Sequence, residues 1–295
     1  MSFLLAHLSD SHIGPLPRPV FRDLLGKRLT GYINWQRGRY HMHDMDVLGH
    51  IVDDMLAHKP DHVAMTGDIM NIGLPAEFPL ARKWLETLGS PNDVSFVPGN
   101  HDAYVRSSVP MLAQTFGPWT ASDGEHETRF PYLRVRGHVA LIGVSSGVPT
   151  LPLLASGKLG TRQLHALGAL LDSTHANGLM RVVMIHHPPT RNGATPGRGL
   201  SDSRAFEKII AAHGAELVLH GHNHRQSVAY IQGTHGRTPV VGVPSASAVP
   251  GTERHRAGYH LIRIERVEGH FATTIHARGL LPGTREIGDL GQVKI

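Results

Sequence analysis

The sequence predicts an α/β domain, and three observations carry that prediction. Short apolar runs of strand type alternate with stretches of helical periodicity up to about residue 225. Strand and turn patterns alone follow from there to the end. Five of the apolar runs end in a loop bearing Asp, Asn or His. Alternation followed by consecutive strands describes an α/β core with added antiparallel strands.

The elements read in order as follows. A first strand over 3–8 ends at Ser9-Asp10-Ser11-His12, and a helix fits 43–58. The run 62–65 ends at Thr66-Gly67-Asp68, and Pro75 announces a helix over 76–88. The run 94–97 ends at Pro98-Gly99-Asn100-His101-Asp102. A helix over 161–175 precedes the run 181–185, which ends at His186-His187-Pro188-Pro189. A helix over 202–213 precedes the run 216–219, which ends at His220-Gly221-His222-Asn223-His224. Strands then fit 227–231, 239–243, 259–264 and 271–275. No repeat or linker marks a boundary, so one domain over 1–295 is expected, strand-rich from about 226. The Gly/Pro-rich stretch 188–200 reads as a surface loop.

Composition narrows the classes. At 295 residues, 40% hydrophobic and 18% charged, the chain can bury a substantial core and is too weakly charged for disorder. Cysteine is absent, which excludes disulfides, thiolate metal sites and a cysteine nucleophile. No run approaches a membrane span, and the N-terminus lacks the pattern of a signal peptide, so a cytoplasmic protein is expected. Histidine occurs 23 times, which favours a metal site but also creates accidental pairs, His41-Met42-His43 among them. The formal charge is +5, and it sits in one place: 15–40 holds six basic residues against Asp23 alone. Charge so localised does not describe a binder of nucleic-acid polymers.

In open α/β sheets ligands gather at the carboxyl ends of strands, which is where these five polar loops fall. Each motif alone is weak: Gly67-Asp68 makes an ordinary turn, and Asn100 or Asp102 could cap a helix. The five together, in this order, are specific. DSH (10–12), GD (67–68), GNHD (99–102), HHPP (186–189) and GHNH (221–224) make a sequence that resembles the calcineurin-like metallophosphoesterases. The resemblance covers roughly 3–245. It implies a sandwich of two β-sheets flanked by helices, with a dinuclear metal site at the carboxyl ends of the strands. By position it assigns Asp10, His12 and His224 to one metal, Asn100, His186 and His222 to the other, and Asp68 as bridge.

Those donors suit the chemistry. A carboxylate can span two cations where one imidazole cannot, and a mixed N/O set without sulfur fits Mn, Fe or Zn. Two such ions acidify a shared water and clamp an in-line displacement at phosphorus. The resemblance gives His101 the task of protonating the leaving oxygen or steadying the phosphoryl charge, which suits an imidazole titrating near neutrality. Asp102 either orients His101 or caps the following helix. His187 is expected beside the ligands or near substrate.

GDIMNIG at 67–73 and GNHD differ from the protein-phosphatase pattern and resemble the bacterial phosphodiesterase branch, which acts on cyclic nucleotides or glycerophosphodiesters. Nothing speaks for the DNA-binding portion of the family's repair nucleases. A small phosphodiester is the expected substrate, with a non-catalytic metal-binding scaffold as the reading from another class. Arg191, Asn192 and Arg198, in the loop after HHPP, are candidates to touch substrate. The segment 15–40 is an insertion, and its apolar residues from Val20 to Ile33 follow helical spacing despite Gly26 and Gly31. Three readings fit it: cover for the domain's own core, a contact in a homo-oligomer, or a basic element lying on an anionic membrane surface. The last would make the enzyme phospholipase-C-like, peripheral at the inner membrane face.

Overall fold

The computed structural model describes residues 2–125, 127–234, 236–249 and 255–295. One six-stranded sheet runs in the spatial order Ile287–Val293 (β12), His270–Leu280 (β11), Gly258–Val267 (β10), Ser2–Leu8 (β1), His62–Met65 (β2) and Val94–Phe96 (β3). The other runs Tyr132–Arg136 (β4), Val139–Gly143 (β5), Met180–Met184 (β6), Leu217–His220 (β7), Gly236–Gly242 (β9) and Ser227–Gly233 (β8). Strands β1, β2 and β3 are parallel, as are β5, β6, β7 and β9. Antiparallel strands β10 to β12 extend the first sheet, with Leu5 of β1 opposite Ile262.

Side-chain alternation divides the core into layers. Phe3 and Leu5 of β1, with Met180, Val182 and Met184 of β6, pack between the sheets. Ala6 and Leu8 of β1 face the opposite way, against helices Met45–Ala57 (α2) and Glu77–Leu88 (α3). Val183 of β6 likewise turns outward to helices Thr161–Ala176 (α5) and Ser203–His213 (α6). The expected two-sheet sandwich flanked by helices is therefore the observed one. Helix α2 shows why the sequence folds so: Asp44 accepts from the N–H of Asp46 and Val47, and Val47, Leu48, Ile51, Val52 and Met55 make one buried stripe.

Four elements escape the sequence reading. Helix Ser108–Thr120 (α4) contains Pro118, which argues against a helix by propensity, yet Phe116 and Trp119 are buried in the outer layer. The hairpin β4–β5 and the edge strand β12 carry weak or interrupted alternation.

The insertion differs from the single helix expected over 20–35. Gly26 takes φ +79° and splits it into a 3-10 turn at Phe21–Leu24 and a helix at Lys27–Gln36 (α1). Its apolar face does not serve as core cover throughout: Phe21 is 83% and Leu25 66% exposed. Its charge is only partly a solvated face: Arg18, Arg22 and Arg37 are exposed, but the others turn inward. Arg28 is buried and donates from Nη2 to the Gly73 carbonyl at 2.5 Å. Lys27 donates to Thr150 Oγ1 and the Leu154 carbonyl, and burial lowers its pKa to about 8. Among the described residues no helix is long and apolar enough to cross a membrane.

Candidate metal centre

The five motif loops leave the carboxyl ends of β1, β2, β3, β6 and β7 and meet above the sandwich. Backbone bonds join them within each sheet: Asp10 N–H to Gly67 O, His12 N–H to Asp68 O, Gly221 N–H to His186 O. Side chains join them across the sheets. The His222 N–H donates to Asp10 Oδ2 at 2.9 Å, and His186 Nε2 lies 3.1 Å from Asp68 Oδ2.

All seven sequence-predicted ligands come together. Asp10, His12 and His224 place donor atoms within 4.8 Å of one another, and so do Asp10, Asp68 and His186. His12 donates through Nδ1 to the Met70 carbonyl, and His186 through Nδ1 to the Thr66 carbonyl, which turns each Nε2 inward. Burial opposes charge on His186, but the Asp68 carboxylate outweighs it and lifts the imidazole to about 9. Burial, then His43 and Arg39, drives His12 far below the ordinary histidine range.

Two observations say that these residues fit metal ions. Asn100 Oδ1 and His222 Nε2 are buried atoms without a hydrogen-bond partner, and Asp10 Oδ1 meets only His224 Nε2, at 3.2 Å; each belongs to a predicted ligand. In addition, Asp10, His12, Asp68, His222 and His224 all adopt positive φ, between 39° and 69°. Such strain costs roughly 1–3 kcal/mol per residue and persists where a site dictates the geometry. Close-packed glycine makes the convergence feasible: a Cβ on Gly99 would stand 2.1 Å from Asp68 Oδ1.

The surrounding residues correct several expectations. Asp102 neither orients His101 nor caps a helix. It accepts four backbone N–H groups, from Asp68, Ile69, Met70 and Gly99, and so ties the β2 and β3 loops together. His187 stands beside the ligands, as expected: its ring nitrogens meet Ser146 Oγ at 2.8 Å and the Ala155 carbonyl at 3.1 Å, and it lies in one cluster with His186 and His222. Arg191 turns away from the site and pairs with Glu207 at 2.9 Å. Asn192 and Arg198 do line the pocket over the metal ligands, a cavity of about 620 Å³.

His101 faces that pocket, but not as an imidazole titrating near neutrality. Its Nδ1–H donates to the Asn71 carbonyl, and Nε2 accepts from Arg39 Nη2 at 3.0 Å. Burial first, then the Arg39 charge, holds the imidazole down at about 3. Tyr104 stacks on His101 at 5.7 Å, and Lys27 of the insertion lies over the Tyr104 ring.

Sequence reasoning missed three residues here. His43, read as accidental spacing, packs its ring 4.6 Å from that of His12 and bonds Ser247 Oγ. Buried Glu77 accepts the N–H groups of Asn71, Ile72 and Leu74 and shapes the loop that holds His101. Arg39 lay in a run of charges without a motif. The D-x-H spacing shared by Asp10/His12 had no counterpart that could have signalled any of the three.

A buried cluster of Asp and His that could hold metal ions thus lies at the strand ends of an αββα sandwich. The chain belongs to the calcineurin-like phosphoesterase family, whose model matches residues 3–226. It is a phosphoric ester hydrolase by that membership. It is 30% identical over 229 residues to a probable cyclic nucleotide phosphodiesterase of Synechococcus, covering 77% of this chain and 80% of that one. It is 27% identical over 249 residues to a glycerophosphodiester phosphodiesterase of Enterobacter lignolyticus, covering 80% and 77%. These relatives match the bacterial phosphodiesterase branch. A dimetal phosphatase from Danio rerio shares the fold, with TM-score 0.59, 14% identity and 99% of each chain covered.

Proposed function

We propose that this protein hydrolyses small phosphodiesters at a centre of two divalent metal ions. Asp10, His12 and His224 would hold one ion, Asn100, His186 and His222 the other, with Asp68 between them. The observation that carries this reading is the pair of unpartnered buried ligand atoms, Asn100 Oδ1 and His222 Nε2, on loops from the two sheets. When bound, two such ions acidify a water and neutralise charge on phosphoryl oxygens.

The chain's own residues supply the rest. Asp102 holds the Asp68 loop against the Gly99 loop, which keeps Asp68 and Asn100 in register. Asn71 and Glu77 fix His101, whose Nε2 looks into the pocket. The named substrates of the two relatives, cyclic nucleotides and glycerophosphodiesters, are the classes to try first. Metal analysis combined with assays on bis-p-nitrophenyl phosphate, p-nitrophenyl phosphate, cyclic nucleotides and glycerophosphodiesters tests the proposal. Turnover of a diester above the monoester, with two ions per chain, is the expected result. Metal binding without turnover of any ester would leave the scaffold reading in its place.

A further inference from the structure

The pocket over the ligands is lined by arginines that the proposed chemistry does not use. Arg39, Arg198 and Arg225 all face it, and Asp68 is the single carboxylate among the described lining residues. Arg39 ends the insertion, on the turn Arg39–Met42, and reaches the ligand end of the pocket: Nη2 lies 3.0 Å from His101 Nε2 and 3.4 Å from His12 Nε2. Arg198 enters from the loop 188–200 on another wall. Among the described residues neither arginine forms an ion pair with a carboxylate. Arg198 and Arg225 are exposed and stay solvated, so their charges attract an entering anion without straining the fold.

A simple phosphodiester carries one negative charge. That charge belongs at the ligand end, where Arg39 already points at the face of His101 and His12. Arg198 and Arg225 line the same pocket from exposed positions, available to a second anionic group. The charge of the pocket therefore exceeds that of the minimal substrate.

We infer that Arg39 and Arg198 form a two-point anion clamp, and that the preferred substrate carries a second acidic group beside the diester that reacts. Resting on the phosphodiesterase reading, this narrows its substrate class. Arg39 takes the anionic oxygen of the reacting diester, and Arg198 takes the second group, a phosphate or a carboxylate. Arginine suits both, because its planar fork donates two parallel N–H bonds to either.

The test compares substrates that differ only in the second group. One pair is the p-nitrophenyl ester of thymidine 5′-monophosphate with and without a 3′-phosphate. The other is 2-carboxyethyl p-nitrophenyl phosphate and its propyl counterpart. The expected kcat/KM favours the doubly charged member by about tenfold to a hundredfold at low salt, the scale of one charge-assisted hydrogen bond. In Arg198→Gln that ratio falls toward one, and Arg198→Lys retains part of it. The pair that shows the preference identifies the second group. Calorimetry supplies a readout independent of turnover: thymidine 3′,5′-bisphosphate should bind the protein, with and without added metal, more tightly than the 5′-monophosphate, and Arg198→Gln should erase the difference.

Ratios of one for both pairs in the unmodified protein, or a preference that survives Arg198→Gln, overturn the clamp and leave the diesterase reading standing. Arg198-dependent binding of the bisphosphate without turnover of any diester does the reverse.

Discussion

Asp102 Oδ2 accepts the backbone N–H groups of both Asp68 and Gly99, at 2.7 and 2.8 Å, while its Oδ1 accepts those of Ile69 and Met70. One buried carboxylate thus fixes the loop of the proposed bridging ligand against the loop that bears Asn100. Asp102→Ala would leave four buried donors unpaired, at about 1–3 kcal/mol each before relaxation. The expected outcome is a loss of at least about 3 kcal/mol in urea unfolding, together with weakened metal binding. Unchanged stability would mean that the two loops hold their places without this tie.

Asp68 itself should be the costliest ligand to replace. Asp68→Asn removes the negative charge that lies between His186 and the His12 side of the cluster, and the amide cannot offer two equivalent anionic oxygens. Metal content measured on the purified variant should fall, and turnover should nearly vanish. Two ions per chain with ordinary activity would remove Asp68 from the bridging position.

For His101, the structure changes what a leaving-group series should show. With Nδ1–H committed to Asn71 and Nε2 accepting from Arg39, the imidazole has no proton to give. His101→Ala should therefore lower kcat by about 10²-fold or more, the scale of a lost catalytic contact, and by similar factors for p-nitrophenyl and alkyl leaving groups. Metal content should stay at the level of the unmodified protein. A loss confined to the poor leaving groups would instead assign His101 to protonation of the departing oxygen.

What the sequence made legible follows from how local each signal is. Helices α2, α3, α5 and α6 stand within two residues of their expected bounds, because each announces itself by an apolar stripe and a start signal. The ligand loops were readable because each metal donor sits next to the strand that positions it. Arg39, His43 and Glu77 were not, since their roles depend on partners far along the chain or on a fold-dependent approach. Arg28 shows the same limit in reverse: a charge in a basic run reads as solvated until the Gly73 carbonyl is found beside it. Gly26 broke a helix whose periodicity was real, because spacing alone is blind to a positive φ.

The exposed half of the insertion should contribute little to folding. Phe21 and Leu25 lie on no core cluster, so replacing either with Ser should change unfolding free energy by no more than about 0.5 kcal/mol, as for ordinary surface sites. Arg28→Ala is the contrast, since it removes the buried charged donor to the Gly73 carbonyl beneath α1, leaving only the Ser108 hydroxyl at 3.3 Å, and should cost about 1–3 kcal/mol. Thermal or urea unfolding of the three variants separates the two halves. A large loss on Phe21→Ser would restore the core-cover reading of that segment.

The acid limb of stability should depend on one tether that binds α2 to the antiparallel strands. Asp54 on α2 accepts from Arg278 through Nε at 2.8 Å and Nη2 at 2.9 Å, and from the Tyr259 hydroxyl at 2.6 Å. Burial would raise the Asp54 pKa, but the hydrogen bonds and charge of Arg278 outweigh it, so the folded value lies below the ordinary one. As pH falls, the unfolded chain then takes up this proton before the folded chain does. The contribution is whole above the unfolded value near pH 3.9 and is lost as pH drops through the folded value. Asp54→Asn should therefore lower stability at pH 7 and flatten the fall in urea midpoint below about pH 4. Glu86→Gln, which removes the exposed Arg82–Glu86 pair on α3, should change the neutral-pH midpoint little. If Asp54→Asn leaves both the neutral midpoint and the acid slope unaltered, the tether contributes nothing to folding and the acid limb belongs to other carboxylates.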